Sequence, residues 1–309
     1  MNKLTKKVKD LAKTYNIDFV GIAAPESLAN EPEFHRPQDF LPTAQSVISL
    51  GVKLALGTQL INRRAHREHR DLIYAHLWHG FGLPSMHYCD RAALFITRML
   101  EQEGYIAVPV MSASTYDVRT SLTEFFYHHA AVAADLGELG WHDMVLTPEV
   151  GSRLRLTAII TDAKLDIDPM YNGAKLCDVE KCKKANKGIP VCTSFCPTRA
   201  ISSQTKKVKI GDKTYTVAKV DSMRCAWGSM GLNKKAGGLK DIPMPKGEIT
   251  PDDIFNGLKQ RDSKQVAELM VINRGDYCSR CLMECPVGKD ERVEKILTSI
   301  PLNEICFKI

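Results

Sequence analysis

Residues 177–197, CDVEKCKKANKGIPVCTSFCP, and residues 278–286, CSRCLMECP, decide how this chain is read. The first stretch carries Cys177-x4-Cys182-x9-Cys192-x3-Cys196-Pro197, the second Cys278-x2-Cys281-x3-Cys285-Pro286, and Cys225 stands between them. Both end in Cys-x3-Cys-Pro. In two-cluster iron–sulfur sites three closely spaced thiolates hold one [4Fe–4S] cluster, and the last cysteine, before proline, crosses to ligate the other. Applied here, the rule uses every thiol of the region: Cys177, Cys182, Cys192 and Cys285 for one cluster, Cys196, Cys225, Cys278 and Cys281 for the second. Zinc is the alternative, because Cys278-x2-Cys281 alone is half of a ribbon site. Zinc, however, has no need of paired Cys-Pro endings. The first motif departs from the usual spacing, its gaps widened to four and nine residues by a lysine-rich insertion from Lys181 to Lys187. Cys89 and Cys306 lie outside the region and read as incidental thiols, since free cysteine behaves as a small apolar residue.

Ten cysteines in a chain of 309 residues argue for metal or redox chemistry if the chain is cytosolic, where disulfides do not persist. The sequence points that way. It opens on Met1-Asn2-Lys3-Leu4-Thr5-Lys6-Lys7 rather than an apolar signal core, and no run approaches the ~18 apolar residues of a membrane span. A cytoplasmic location is therefore expected. Apolar residues make up 44% and charged residues 25%, a globular composition. The formal charge of +6 falls short of the concentrated basic face of a nucleic-acid binder.

Upstream of the cysteines the pattern alternates. Helical spacing over residues 2–15 is followed by strand signals at 17–23 and 46–54, and then by helices at 62–80 and 87–103. A strand at 105–111, a helix at 121–136 and a strand at 153–161 complete an α/β layer. Beyond Met170 the chain becomes loop-rich, with a hairpin from Lys206 to Val220 turned at Gly211-Asp212. These signals predict an α/β (α+β) domain over residues 1–169, a metal-dependent domain over 170–290 and an amphipathic tail over 291–309. The first domain lacks Gly-x-Gly-x-x-Gly after a strand and lacks a P-loop, so neither a dinucleotide fold nor nucleotide hydrolysis is supported. Flavin stays open as an acceptor, because flavin sites can lack a short motif.

The run Leu136-Gly137-Glu138-Leu139-Gly140-Trp141-His142, then Leu146-Thr147-Pro148-Glu149-Val150-Gly151-Ser152-Arg153-Leu154-Arg155-Leu156, followed by the cysteines, resembles epoxyqueuosine reductases and reductive dehalogenases. The similarity extends upstream through residues 40–48 and 104–109 and covers about residues 10–290. It implies a nitroreductase-like domain that binds base-off cobalamin, followed by a ferredoxin-like domain with two [4Fe–4S] clusters. On this reading the clusters pass single electrons to cobalt, and cobalt reduces a small or nucleoside-type substrate. The resemblance further implies a proton-donating carboxylic acid upstream of the Gly-Leu-Gly-Trp-like segment, and the separation brings it to Glu124. Tyr127 and Tyr116 are the alternative donors. His142, Thr147, Arg153 and, after Cys225, Trp227 fall where the resemblance implies corrin contacts, although each side chain suits packing equally well. His128 and His129 read as polar helix residues and are assigned no role.

Implied partners are a soluble electron donor such as ferredoxin or flavodoxin, and a tRNA substrate or a corrinoid protein. The basic run Arg63, Arg64, His66, Arg67, His69, Arg70 reads either as a solvated helix face or as charge for tRNA phosphates. The chain departs from the queuosine enzymes at Glu124, where they carry aspartate, and at Trp141-His142-Asp143-Met144, where they continue Ile-Gly-Lys. The competing function is a non-catalytic electron carrier that reduces a corrinoid protein or another partner.

Overall fold

The structure, a computed structural model, describes residues 2–68, 73–112, 122–263 and 277–300. Tyr116, His69, Arg70 and Cys306 lie outside the described residues. The chain forms two compact units, each built from three separated stretches: Met1–Lys53, Leu83–Cys177 and Lys206–Val217 in the first, Leu54–Gly82, Asp178–Thr205 and Ala218–Ile309 in the second. These units are not the contiguous division at 169 and 290 expected from the sequence: residues 170–177 fall in the first unit and the segment after 290 in the second. Residues 54–82 group with the cysteines, and the tip of the hairpin groups with the first unit.

In the first unit, α1 (Lys3–Thr14) starts where the Asn2 side chain accepts the Thr5 amide at 2.7 Å. It buries Val8 and Ala12, one turn apart. Strands β1 (Phe19–Ala23), β2 (Ser46–Lys53), β3 (Ala107–Pro109) and β6 (Leu154–Thr161) form a sheet in the order β1-β2-β6-β3. Every pairing is antiparallel, with Ile22 opposite Ile48, Ile48 opposite Ile159 and Val108 opposite Ile160. The alternating pattern therefore folds as α+β and not as a parallel, crossover-linked layer.

Side chains alternate across the sheet, and both faces are covered. Ile22, Ile48, Leu50, Val52 and Ile159 pack with α1 and with Ala92, Ile96 and Leu100 of α5 (Asp90–Gln102). Ala23, Val47, Ala158 and Ile160 pack with the alanine-rich α6 (Tyr127–Ala133). The same cluster takes in Ile210 and Val217 from the hairpin β7 (Ile201–Ile210) and β8 (Lys213–Val220), which turns at Gly211-Asp212 as the sequence indicates. These two contacts are why the hairpin tip belongs to the first unit. A small hairpin, β4 (Glu138–Leu139) and β5 (Val145–Leu146), follows α6 and presents residues 140–144 as its turn.

In the second unit, α2 (Pro37–Phe40) having preceded it in the chain, α3 (Leu56–Glu68) leads to α4 (Ile73–His76). From Leu77 to Cys89 the helix is wound wider, as a π-helix with Pro84 inside, where proline supplies no N–H to an ordinary turn. The helices expected at 62–80 and 87–103 are thus α3 and α5 with this wide segment between. Short helices α7 (Val179–Ala185), α8 (Val191–Ser194), α9 (Ser222–Ser229), α10 (Pro251–Lys259), α11 (Arg280–Glu284) and α12 (Glu291–Thr298) make up the rest. Its apolar cluster is small, Ala226, Trp227, Leu232, Ile242, Ile249 and Ile254, so bound inorganic material would add much to its stability.

Gly21 in β1 lies so close to the end of α6 that an added Cβ would stand 1.9 Å from the Ala134 carbonyl oxygen. Gly21→Ala should destabilise the protein by about 2–3 kcal/mol, read as a lower denaturant midpoint at unchanged slope.

Candidate functional site

The thiols of the second unit sit at helix starts fixed by local caps. Asp178 accepts the Lys181 amide at 2.9 Å and begins the helix of Cys182, and Asp221 accepts the Arg224 amide at 2.9 Å and begins the helix of Cys225. Between Cys278 and Cys281, Ser279 adopts a left-handed φ of 44°, turning the chain into α11. Helix α8, with Cys192, packs on α11, with Cys281.

Four cysteines act electrostatically on Cys281. Burial first, then the charges of Cys225, Cys278, Cys196 and Cys192 in that order, push its thiol well above its ordinary value. The first three of these neighbours are the set that the crossing rule assigns to one cluster. A thiol in such surroundings does not ionise alone, and a coordinating metal deprotonates it outright. Backbone amides also point at sulfur: Val191 donates to Cys182 at 3.4 Å and Ala200 to Cys196 at 3.2 Å. Hydrogen bonds of this kind tune iron–sulfur clusters.

Tetrahedral zinc, with Zn–S of about 2.3 Å, needs thiolates only about 3.8 Å apart. Among the described residues no three thiols have sulfurs within 4.8 Å of one another.

Helix α3 braces this region. Its Arg63 is 2% exposed and pairs with Glu294 and, at 3.1 Å, with Glu284 of α11. His66 donates to the Cys278 carbonyl at 2.9 Å and Asn62 to the same oxygen at 3.4 Å. Arg64 pairs with Glu68, and Arg67 donates to the Leu297 carbonyl at 3.1 Å. The described cations of the basic run are engaged within the unit, and that is why residues 54–82 belong to it.

In the first unit Cys177 is held by the Gly-Leu-Gly-Trp-like segment. The Glu138 carboxylate accepts the amides of Leu176 and Cys177, each at 2.7 Å, and the Trp141 amide donates to the Cys177 sulfur at 3.2 Å. The residues matched to corrin contacts are all enclosed. Thr147 closes its own turn, its hydroxyl accepting the Val150 amide at 3.2 Å, and Arg153 donates to the Val150 carbonyl at 3.2 Å. His142 is 4% exposed, and burial drives it down to about 4 against the pull of Asp143. Trp227 lies in the small core of the second unit, against Gly257 and Leu232. The side chains of all four are buried. Glu124 is exposed in the turn before α6 rather than enclosed, and its backbone carbonyl, not its carboxylate, meets His35 Nδ1 at 3.0 Å. Tyr127, the first residue of α6, is half-buried.

One group was given no role by sequence reasoning. His128 and His129 are buried with Asp143, and His129 Nδ1 meets Glu31 Oε1 at 2.7 Å. Burial, then the charge of His129, press His128 down to about 3. Burial alone would lower His129 too, but Asp143 and Glu31 outweigh it and raise the group. Burial would raise Asp143, but His129, His128 and Lys206 hold it at about 2. The signal was the adjacent histidines with Asp143 fourteen residues on, but only the fold brings them together.

No family model matches the chain, and no curated protein matches it. Among solved structures it is similar to an epoxyqueuosine reductase determined with a tRNA-Tyr stem loop, at 17% identity and TM-score 0.48, covering 93% of this chain and 65% of that one. The epoxyqueuosine reductase of Bacillus subtilis matches at 18% identity and TM-score 0.49, covering 93% and 66%. A reductive dehalogenase matches at 17% identity and TM-score 0.48, covering 90% of this chain but 37% of that one. The chain thus spans about two thirds of the reductases and just over a third of the dehalogenase.

Replacing Arg63 by Met leaves Glu284 buried without its cation. The variant should lose about 3–5 kcal/mol of stability in denaturant titration, far more than an exposed control such as Lys6→Met, whose pair with Asp10 lies at the surface.

Proposed function

We propose that this chain is an iron–sulfur reductase of the corrinoid-dependent kind, in which the second unit carries cluster iron and the first provides the acceptor's binding domain. The observation that carries the reading is that Cys196, Cys225 and Cys278 all act electrostatically on the half-buried Cys281. In this reading these four hold one [4Fe–4S] cluster, and the crossing rule assigns Cys177, Cys182, Cys192 and Cys285 to the other. The corrinoid part rests on the motif resemblance of residues 136–156. When bound, the clusters would supply electrons one at a time.

The protein's own residues do the rest. Amides of Trp141, Val191 and Ala200 place partial positive charge on three ligand sulfurs, which favours the reduced cluster. Exposed Cys225 brings one ligand to the surface, where a donor of the ferredoxin or flavodoxin type would deliver electrons. Glu124 and Tyr127, on the approach to α6, are the proton donors of this reading. The substrate is small or nucleoside-type, a nucleoside carried on tRNA included, and the described arginines of α3 are engaged by Glu68, Glu284, Glu294 and the Leu297 carbonyl. Among the described residues no helix is long and apolar enough to cross a membrane.

Protein isolated anaerobically and reduced with dithionite should show the electron paramagnetic resonance of reduced [4Fe–4S] clusters. Cys281→Ala and the milder, surface-placed Cys225→Ser should each remove or reshape about half of that signal, whereas Cys89→Ala should leave it whole. Hydroxocobalamin added to this protein should stay bound through gel filtration. Iron retained without cobalt would instead mark an electron carrier, and a silent spectrum would reject the reading.

A further inference from the structure

His128, His129 and Asp143 form a second constellation, in the first unit and independent of the thiols. Their ligand atoms lie within 4.8 Å of one another, and all three residues are buried. His129 Nδ1 donates to Glu31 Oε1 at 2.7 Å, which leaves Nε2 as the nitrogen with the lone pair. That Nε2 is buried, has no hydrogen-bond partner among the described residues, and lies 3.9 Å from Asp143 Oδ1, which is buried and unpartnered as well. The two residues are only 3% and 9% exposed.

A gap of 3.9 Å is too long for a hydrogen bond. It is a few tenths of an ångström wider than the roughly 3.3–3.6 Å that two donors of one tetrahedral cation take with bonds of about 2.0–2.2 Å, so a bound cation would draw the pair slightly together. The surroundings have the form that orients ligands. A metal-bound imidazole almost always donates its other N–H to a carboxylate or carbonyl, as His129 does to Glu31. Lys206 Nζ holds Asp143 Oδ2 at 2.6 Å and so leaves Oδ1 facing inward. Asp143 itself adopts a left-handed φ of 62°, which aspartate tolerates better than most side chains. Phe126 stacks on the His129 ring at 5.1 Å and walls the group from one side. With His129 neutral, Glu31 and Asp143 against Lys206 leave one negative charge, and a divalent cation would take the place of the proton that the two carboxylates otherwise favour on His129. Two imidazoles and a carboxylate suit a borderline first-row ion rather than magnesium or calcium, which prefer oxygen alone.

We propose that His128, His129 and Asp143 bind one divalent first-row transition cation of the zinc type, with Glu31 and Lys206 orienting the ligands. Three protein ligands leave a position for water, the pattern of sites that act on a substrate.

The test uses the full chain with its cysteines already occupied by iron and sulfide, incubated with one equivalent of zinc and passed through gel filtration. About one zinc per chain should be retained, and its X-ray absorption should show a nitrogen and oxygen shell at about 2.0–2.1 Å with imidazole scattering. Asp143→Asn and His129→Ala should abolish retention. Glu31→Gln, which keeps size and shape, should weaken zinc binding about 10–100-fold while iron content is unchanged. No retained zinc, a sulfur shell at about 2.3 Å, or Glu31→Gln binding as tightly as the parent would each overturn the proposal.

Discussion

Several thiols cannot share a protein interior as anions unless something of opposite charge joins them. Cys281 lies under that constraint, half-buried and within the electrostatic reach of Cys225, Cys278, Cys196 and Cys192. As free thiols the group is a poor core, small and repulsive once ionised. As ligands of iron it would become the part of the second unit on which its short helices depend, since among the described residues the apolar cluster there has six buried members. The buried ion pairs of Arg63 belong to the same logic, fixing α11 from behind so that Cys281 and Cys285 keep their places.

The cysteine motif can be read from sequence at all because ligand spacing of this kind is written locally, in short gaps and a following proline. Strands were legible for the same reason: Ser46–Lys53 and Leu154–Thr161 are β-branched runs buried on both faces, and they emerge within a residue of where the pattern puts them. What could not be read is non-local. Nothing in the sequence of α3 reveals that Arg63 faces Glu284 and Glu294, more than 200 residues on, so a run of arginines looked like a surface. The order β1-β2-β6-β3, antiparallel throughout, is likewise a matter of partners and not of periodicity.

The segment from Glu138 to Asp143 shows both sides of this. Its likeness to a known motif was visible, and the structure gives its first part a concrete task, since Glu138 and Trp141 hold the amide and sulfur of Cys177. Its second part, Trp141-His142-Asp143-Met144, stood out as a departure, and there Asp143 turns inward to meet His129. Thr147 and Arg153, which the motif matches to cofactor contacts, each also bond Val150 of their own turn.

The central claim is that these cysteines hold inorganic iron and sulfide. It is tested most directly by assaying iron, acid-labile sulfide and zinc together on the chain isolated without oxygen. The account predicts iron and sulfide in equal amounts, about eight of each per chain, with no zinc on sulfur. Zinc bound through sulfur in place of iron, with no sulfide released by acid, would contradict it.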